Sequence, residues 1–153
     1  MTNESNSAKS KNGYNLNAIV KEKLEIKLAN REINSYENEP RYAYPGYAKG
    51  QFSPDGEVIK KSGEKIVFDN TTTARHDRFK QKQWDASGIK ASLKGENVKY
   101  FIIVPDFVDI GNDETREKEI NNVINERNKI HSSGYYSQID DILTVSEFME
   151  YLN

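Results

Sequence analysis

The chain has 153 residues, of which 35% are hydrophobic and 30% charged, so it can bury one core of the size found in a single domain. It contains no cysteine, which excludes a disulfide framework, a cysteine-ligated metal and a thiol nucleophile. The formal net charge is −2, and the longest apolar run, residues 100–104, is too short to cross a bilayer. Since residues 1–11 also lack the apolar stretch of a secretory signal, we expect a cytoplasmic protein without membrane contact.

The first half of the chain predicts a tail, a helix, a loop and two strands. Residues 1–12 are polar and without periodicity, which is typical of a flexible tail and leaves residues 13–153 as one domain. A helix is predicted over residues 13–30, where the apolar positions are Leu16, Ile19, Val20, Leu24, Ile26 and Leu28. Residues 30–51, with two prolines and four tyrosines, indicate a loop. Residues 52–60 and 65–70 are β-rich and predict two strands joined by a turn.

The second half alternates helices with strands. A helix is predicted over residues 74–93, with Thr73 as its N-cap and Gly88 as an early break. Residues 100–104 are continuously apolar, as in a buried central strand. A charged helix over 113–130, a strand over 139–143 and a last helix opened by a Thr144/Glu147 capping box follow. This order predicts an α/β fold, a mixed β-sheet flanked by helices on both faces.

Charge is distributed unevenly along the chain. Residues 71–95 include six basic and two acidic residues, a net of +4, whereas residues 105–153 include eleven acidic and four basic residues, a net of −7. A concentrated basic segment in a slightly acidic protein favours a polyanionic partner, although a solvated helix face has the same composition.

Two acidic residues stand where strands begin or end. Asp55 lies in a Ser-Pro-Asp-Gly turn signal, and Asp69 follows the apolar run 66–68. If the two segments are neighbouring strands, both carboxylates reach one site at the sheet edge. Mg²⁺ needs only one or two carboxylates and completes its shell with water and phosphate oxygens. Taken singly, each aspartate is also an ordinary turn or strand-exit residue.

The spacing of these two acids resembles the PD-(D/E)XK nuclease motif. In that motif an acid and then an acid–X–lysine triplet lie on adjacent strands; here Pro54-Asp55 is followed after thirteen residues by Asp69-Asn70-Thr71. The segment 71–84, TTTARHDRFKQKQW, is similar to the threonine-rich strand-to-helix segment of several type II restriction endonucleases. The resemblance covers residues 13–153 in element order and 54–84 in motif content. It implies a restriction-endonuclease-like fold, Mg²⁺ or Mn²⁺ as cofactor, and DNA hydrolysis.

The resemblance places a lysine at position 71, where this chain has Thr71. A hydroxyl cannot supply the positive charge with which that lysine stabilises the reacting phosphate. Three interpretations stay open: a cation reaches the site from the next helix, the metal alone carries the chemistry, or the domain is inactive. Lys82 is our candidate for the first, with Lys80 second, because Lys82 lies in the apolar stripe of Phe79, Ala86 and Ile89.

Other residues complete the predicted site. The resemblance allows Glu22 as an additional metal ligand. The predicted catalytic group is Asp55, Asp69, Lys82 and Thr71, and the predicted DNA-binding group is Arg75, Arg78, Lys80, Gln81 and Gln83. The four tyrosines of residues 36–47 are candidates for stacking on bases or for packing the loop onto the core.

The sequence therefore predicts a metal-dependent endodeoxyribonuclease of the restriction-system type that acts on double-stranded DNA. Cutting two strands needs two active sites, so we expect a homodimer or a heteromeric partner. Two alternatives are a catalytically silent nucleic-acid-binding module of the same fold and a protein-interaction domain that uses the acidic C-terminal half. A toxin nuclease with an immunity partner is a variant of the predicted endodeoxyribonuclease function.

Overall fold

Five strands form one mixed β-sheet, with four helices packed beside it, in the computed structural model of the chain. It describes residues 2–47, 50–94, 96–110, 113–133 and 135–153, and only the backbone of residues 2–15. The strands are β1 (Ile33–Asn38), β2 (Gly56–Lys60), β3 (Lys65–Asn70), β4 (Val98–Val104) and β5 (Asp141–Thr144). The helices are α1 (Thr2–Ala29), α2 (His76–Ser92), α3 (Asp113–Asn128) and α4 (Val145–Tyr151). A 3₁₀ turn at Phe107–Asp109 and a π-helical turn at Lys129–Ser133 flank α3.

The strand order follows the chain order, β1-β2-β3-β4-β5. The first three strands are antiparallel to one another, and β3, β4 and β5 are parallel. Each parallel pair is joined through a helix, as parallel strands require. The mixed α/β sheet predicted from the sequence is confirmed at this level.

Alternate residues of the central strands enter two separate cores. On one face, Ile66 and Phe68 of β3 pack with α1 and α4; on the other, Val67 packs with α2 and α3. Residues 100–104 of β4 are all buried, which confirms the predicted central strand. Helices therefore cover both faces, and both sides of β3 and β4 are shielded from water.

Strand β1 was not predicted, because the sequence indicates a loop over residues 30–51. Its sequence, INSYEN, is polar at most positions, and only Ile33 is fully buried. It is an edge strand with a register shift between Ile33 and Ser35, so its pairing with β2 rather than a hydrophobic pattern defines it.

Helix α1 begins at Thr2, ahead of the predicted start at residue 13 and within the segment predicted as a tail. Residues 2–12 hold no proline or glycine, so nothing in the sequence ends the helix there. Met1 and the side chains of residues 2–15 lie outside the described part. In the described part Leu16, Val20 and Leu24 are buried, whereas the predicted core positions Ile19, Ile26 and Leu28 are exposed. No helix in the described ranges is long and apolar enough to span a bilayer.

The predicted bounds of the later elements are close to the observed ones, with two errors at α2. Its N-cap is Arg75, without a side-chain hydrogen bond, so the prediction of Thr73 is wrong. Gly88 does not break the helix, which runs to Ser92. The capping box of Thr144 and Glu147 at α4 is confirmed: each side chain accepts a hydrogen bond from the other residue's backbone N–H.

Gly88 is required by close packing. A Cβ atom at this position would lie 2.1 Å from Cζ of Phe52, so the ring of Phe52 rests directly on the backbone of α2. This contact attaches the loop between β1 and β2 to the helix that carries the predicted lysine.

We expect Gly88→Ala to lower the free energy of unfolding by up to about 2 kcal/mol. Overpacking typically costs about 1–3 kcal/mol, more than the roughly 1 kcal/mol that alanine gains over glycine in a helix. Urea unfolding measures the change, with Ser87→Ala as the matched control on the neighbouring residue. In a Phe52→Ala background the same substitution should no longer destabilise, and an equal loss in both backgrounds would contradict the packing argument.

Candidate active site

Asp55 and Asp69 lie side by side at one edge of the sheet. Asp55 immediately precedes β2, Asp69 is the penultimate residue of β3, and the two strands pair antiparallel with Gly56 opposite Phe68. The backbone N–H of Asp55 donates to Oδ1 of Asp69 at 3.1 Å, and the N–H of Asn70 donates to Oδ2 of Asp55 at 2.6 Å. The structure therefore brings together the two acids that the sequence singles out.

The Asp69 carboxylate is buried, with only 5% of the residue exposed. Its Oδ2 accepts a hydrogen bond from the hydroxyl of Tyr100 and lies 3.5 Å from Nζ of Lys82. Tyr100 reaches it because β3 and β4 are parallel, with Val67 opposite Tyr100 and Asp69 opposite Ile102. Both side chains therefore point to the α2 face of the sheet.

Burial raises the pKa of Asp69 to about 6, and Lys82 and the Tyr100 hydrogen bond oppose that rise while Asp55 adds to it. The pKa of Asp55 is also raised, mainly by burial, against the lowering effects of the Asn70 N–H and of Lys82. Each carboxyl group thus influences the other, and Lys82 lowers the pKa of both. This is the electrostatic pattern of a shared site rather than of two independent turn residues.

Lys82 approaches the two acids from α2, beside the helix face that Phe79, Ala86 and Ile89 bury in the core. Its side chain is 24% exposed and lies 4.0 Å from the carboxylate of Asp85 as well as next to Asp69. The position in the apolar stripe is thus accounted for by a buried anion at the sheet edge. That Lys82 takes part in catalysis stays a prediction.

Thr71 is buried and makes local contacts at the position where the resemblance places a lysine. Its Oγ1 donates to the carbonyl of Thr73 at 3.0 Å and accepts from Nη1 of Arg78 at 3.1 Å. The hydroxyl thereby shapes the turn after β3 and holds the guanidinium of Arg78 near the end of the strand.

Oxygen donors near Asp55 and Asp69 define what cation the site can hold. No group of three or more His, Asp or Glu side chains suited to a metal occurs in the described part of the chain. Asn70 follows Asp69 in β3 and therefore faces α1: its Nδ2 donates to Asn17 at 2.8 Å, and its Oδ1 is buried without a hydrogen-bond partner. Asp55 and Asn70 line one small pocket. This pocket is lined by α1 residues and not by Asp69, which faces α2, so the donors next to Asp69 are those of Asp55. Two carboxylates suffice for a hard cation such as Mg²⁺, which completes its shell with water and phosphate oxygens.

The structure does not bring Glu22 to this site. It is exposed on α1, about 200° around the helix from the buried Val20. The α1 residues that line the pocket beside Asp55 are Asn17, Val20 and Lys21.

The residues predicted to bind DNA separate into two groups. Arg75, Arg78, Lys80 and Gln81 are exposed, with Arg75 Nε 3.5 Å from the Asp77 carboxylate. Gln83 instead faces the turn at residues 135–138: its Nε2 donates to Ser137 at 2.9 Å, and its Oε1 accepts from the N–H of Gln138 at 2.9 Å. Its amide is therefore occupied within the protein.

Sequence reasoning missed Tyr100, Asn70 and Asn17. Tyr100 opens an apolar run, and a tyrosine buried in such a run usually needs a partner for its hydroxyl, which is the one signal that could have been used. The roles of Asn70 and Asn17 depend on how α1 packs on the sheet, which no local pattern encodes.

Comparisons with protein-family models, with curated proteins and with solved structures gave no match to this chain. The functional argument therefore rests on the geometry of these residues.

In buffer without divalent ions, we expect Lys82→Ala to raise the pKa of Asp69 above its value of about 6, because the ammonium group lowers that pKa. NMR titration of the carboxyl carbon measures the change. Lys82→Arg should keep the lower value. Lys61→Ala, in the turn at the opposite end of β2 and β3, is the control. An unshifted pKa in Lys82→Ala would show that the two groups do not interact in solution.

Proposed function

We propose that this protein hydrolyses phosphodiester bonds of DNA with a divalent metal ion, with Asp55, Asp69 and Lys82 as its catalytic residues. One observation carries the proposal: a buried carboxylate at a strand end lies next to a second carboxylate and 3.5 Å from a lysine ammonium group. The three side chains come from three different elements, the β2 entry, β3 and α2.

The fold agrees with the proposal. A PD-(D/E)XK site has its acids on adjacent strands, and Asp55 and Asp69 flank the antiparallel pair β2 and β3. The mixed sheet with helices on both faces is compatible with the restriction-endonuclease-like arrangement that the resemblance implies. We propose that residues 13–153 have a restriction-endonuclease-like fold.

The two carboxylates fit a magnesium ion, which Asp55 and Asp69 would hold, with water and phosphate oxygens as its other ligands. When bound, such an ion supplies a polarised phosphate oxygen and a water molecule of lowered pKa. Asp69 must be ionised to bind a cation. Tyr100 and the N–H of Asp55 fix the orientation of its two oxygens.

Lys82 then takes the role that the resemblance assigns to a lysine at position 71. Its ammonium group lies beside Asp69, where it can stabilise the negative charge that develops on the phosphate. A residue at 71 would project from β3 on the same face as Asp69, and α2 crosses that face. A side chain at position 71 and the side chain of Lys82 would therefore both reach the region beside the Asp69 carboxylate.

The exposed cations of α2 would hold the DNA backbone. Arg78 is fixed against Thr71 at the end of β3, and Lys80 lies two residues further along the helix. Double-stranded DNA is the proposed substrate, and a homodimer or a heteromeric partner would supply the second active site for the second strand.

The test is cleavage of supercoiled plasmid with Mg²⁺ by the full chain. Removal of one electrostatic stabiliser typically lowers a rate about a hundred- to a thousandfold, and we expect a loss of that size for Lys82→Ala. Asp69→Asn and chelation of Mg²⁺ should abolish cutting, and Lys61→Ala should cut like the wild type.

Cutting that persists in Asp69→Asn would contradict the proposed site. A wild type that shifts DNA electrophoretically in calcium but never cuts it would instead indicate the silent binding module. A chain that neither cuts nor binds DNA would favour a protein-interaction domain.

Arg78→Ala together with Lys80→Ala should weaken DNA binding for all sequences alike and reduce the dependence of affinity on salt, because two phosphate contacts are lost. Fluorescence anisotropy in calcium at several salt concentrations measures both quantities. Lys61→Ala together with Lys118→Ala is the charge-matched control. An unchanged salt slope in the α2 variant would mean that the DNA surface lies elsewhere.

A further inference from the structure

An open groove lies next to the candidate active site, between the β1–β2 loop and α2. Its volume is about 530 Å³, within the range of small-molecule sites. The lining residues are Tyr44, Tyr47, Gln51, Phe52, Gln81, Trp84 and Asp85. Trp84 is 61% exposed and Tyr47 is 62% exposed, large fractions for rings of this size. We call this feature the aromatic groove.

The two walls of the aromatic groove are attached to each other. The ring of Phe52 packs against the backbone of Gly88 in α2, and Phe52 also forms a β-bridge with Tyr42. On the loop wall, the backbone N–H of Tyr44 donates to Oε1 of Gln51 at 3.3 Å, and the rings of Tyr44 and Tyr47 meet edge to face at 6.4 Å. These contacts within the protein hold the two walls in place, which lowers the entropic cost of filling the groove.

The aromatic groove is connected to the proposed catalytic residues through Asp85. Asp85, one of its lining residues, lies 4.0 Å from Lys82, which in turn lies 3.5 Å from Asp69. Gln81, which also lines the groove, donates to Asp85 at 3.4 Å. On α2, Lys80 and Trp84 are both exposed and lie one helical turn apart.

The side chains that line the aromatic groove indicate which kind of ligand it binds. Flat aromatic faces stack on bases, and the amides of Gln51 and Gln81 and the carboxylate of Asp85 can pair with the donors and acceptors of a base edge. Asp85 repels a phosphate from the groove itself, whereas Arg78 and Lys80 attract one to its border. This distribution fits a nucleotide with its base in the groove and its phosphate outside.

We infer that the aromatic groove binds an unstacked nucleobase of the DNA strand whose phosphate lies at Asp55 and Asp69. The inference rests on the proposed function and narrows its substrate: DNA is bound with at least one base unpaired beside the scissile phosphate. A protein partner, which aromatic surfaces also attract, is disfavoured by the connection to Lys82 through Asp85 and is an outcome of the test.

Trp84 is the single tryptophan of the chain, so its fluorescence reports on the groove directly. The experiment titrates the wild type in calcium with a single-stranded oligothymidylate and with an abasic phosphodiester strand of the same length. End-labelled strands measure the binding itself by anisotropy. We expect both strands to bind, and only the strand with bases to quench the tryptophan.

The variants separate stacking from folding. Trp84→Ala should weaken oligothymidylate binding about five- to 150-fold, the range for loss of one stacked base, and leave the abasic strand unaffected. Trp84→Phe should retain most of the affinity. Val108→Ala removes an apolar side chain that is 78% exposed outside the groove and should change nothing.

Binding of both strands without quenching, or equal quenching by both, would overturn the groove assignment and leave the proposed phosphodiester site standing. Failure of both single strands to bind would overturn the groove assignment and leave a protein as the occupant to be sought; the proposed function, whose substrate is double-stranded DNA, stands or falls on the plasmid cleavage.

Discussion

Burial of the Asp69 carboxylate is the constraint on which the rest of the site depends. A carboxylate at the end of an interior strand loses hydration, and its pKa rises to about 6 as a result. Because folding raises this pKa above the unfolded value, the contribution of Asp69 to stability is greatest in acid and is lost as the pH rises through about 6. At neutral pH the native state therefore holds an anion that opposes folding, and Tyr100, Lys82 and the Asp55 N–H offset that penalty.

The parallel arrangement of β3 and β4 determines which groups can offset the cost of burying the Asp69 carboxylate. Tyr100 lies opposite Val67 and thus on the same face as Asp69, while α2 crosses this face after only a short turn from β3. Lys82 is the seventh residue of α2, and a lysine is long enough to reach back from there to the strand end. Thr71 is buried, and its hydroxyl donates to the carbonyl of Thr73 and so stabilises the turn that precedes the helix.

Most of the fold and the centre of the site could be predicted from the sequence because their signals are local. The β3 run, the apolar β4 run and the Thr144 capping box are such signals, and Lys82 is conspicuous as a charge within an apolar stripe. Strand β1 could not be predicted, because its polar side chains form an edge strand only through pairing with β2. Glu22 and Gln83 were wrongly placed for a related reason: residues on one helix differ by about 100° per position, and tertiary packing alone decides which angle faces the site.

The β1–β2 loop connects the candidate active site to the aromatic groove. The N–H of Glu39 donates to the carbonyl of Asp55 at 3.0 Å, which closes the loop at its base, and the hydroxyl of Tyr42 donates to Glu57 in the adjoining strand. Phe52, three residues before Asp55, rests on Gly88 of α2. The same short segment thus carries one carboxylate of the site and one wall of the aromatic groove.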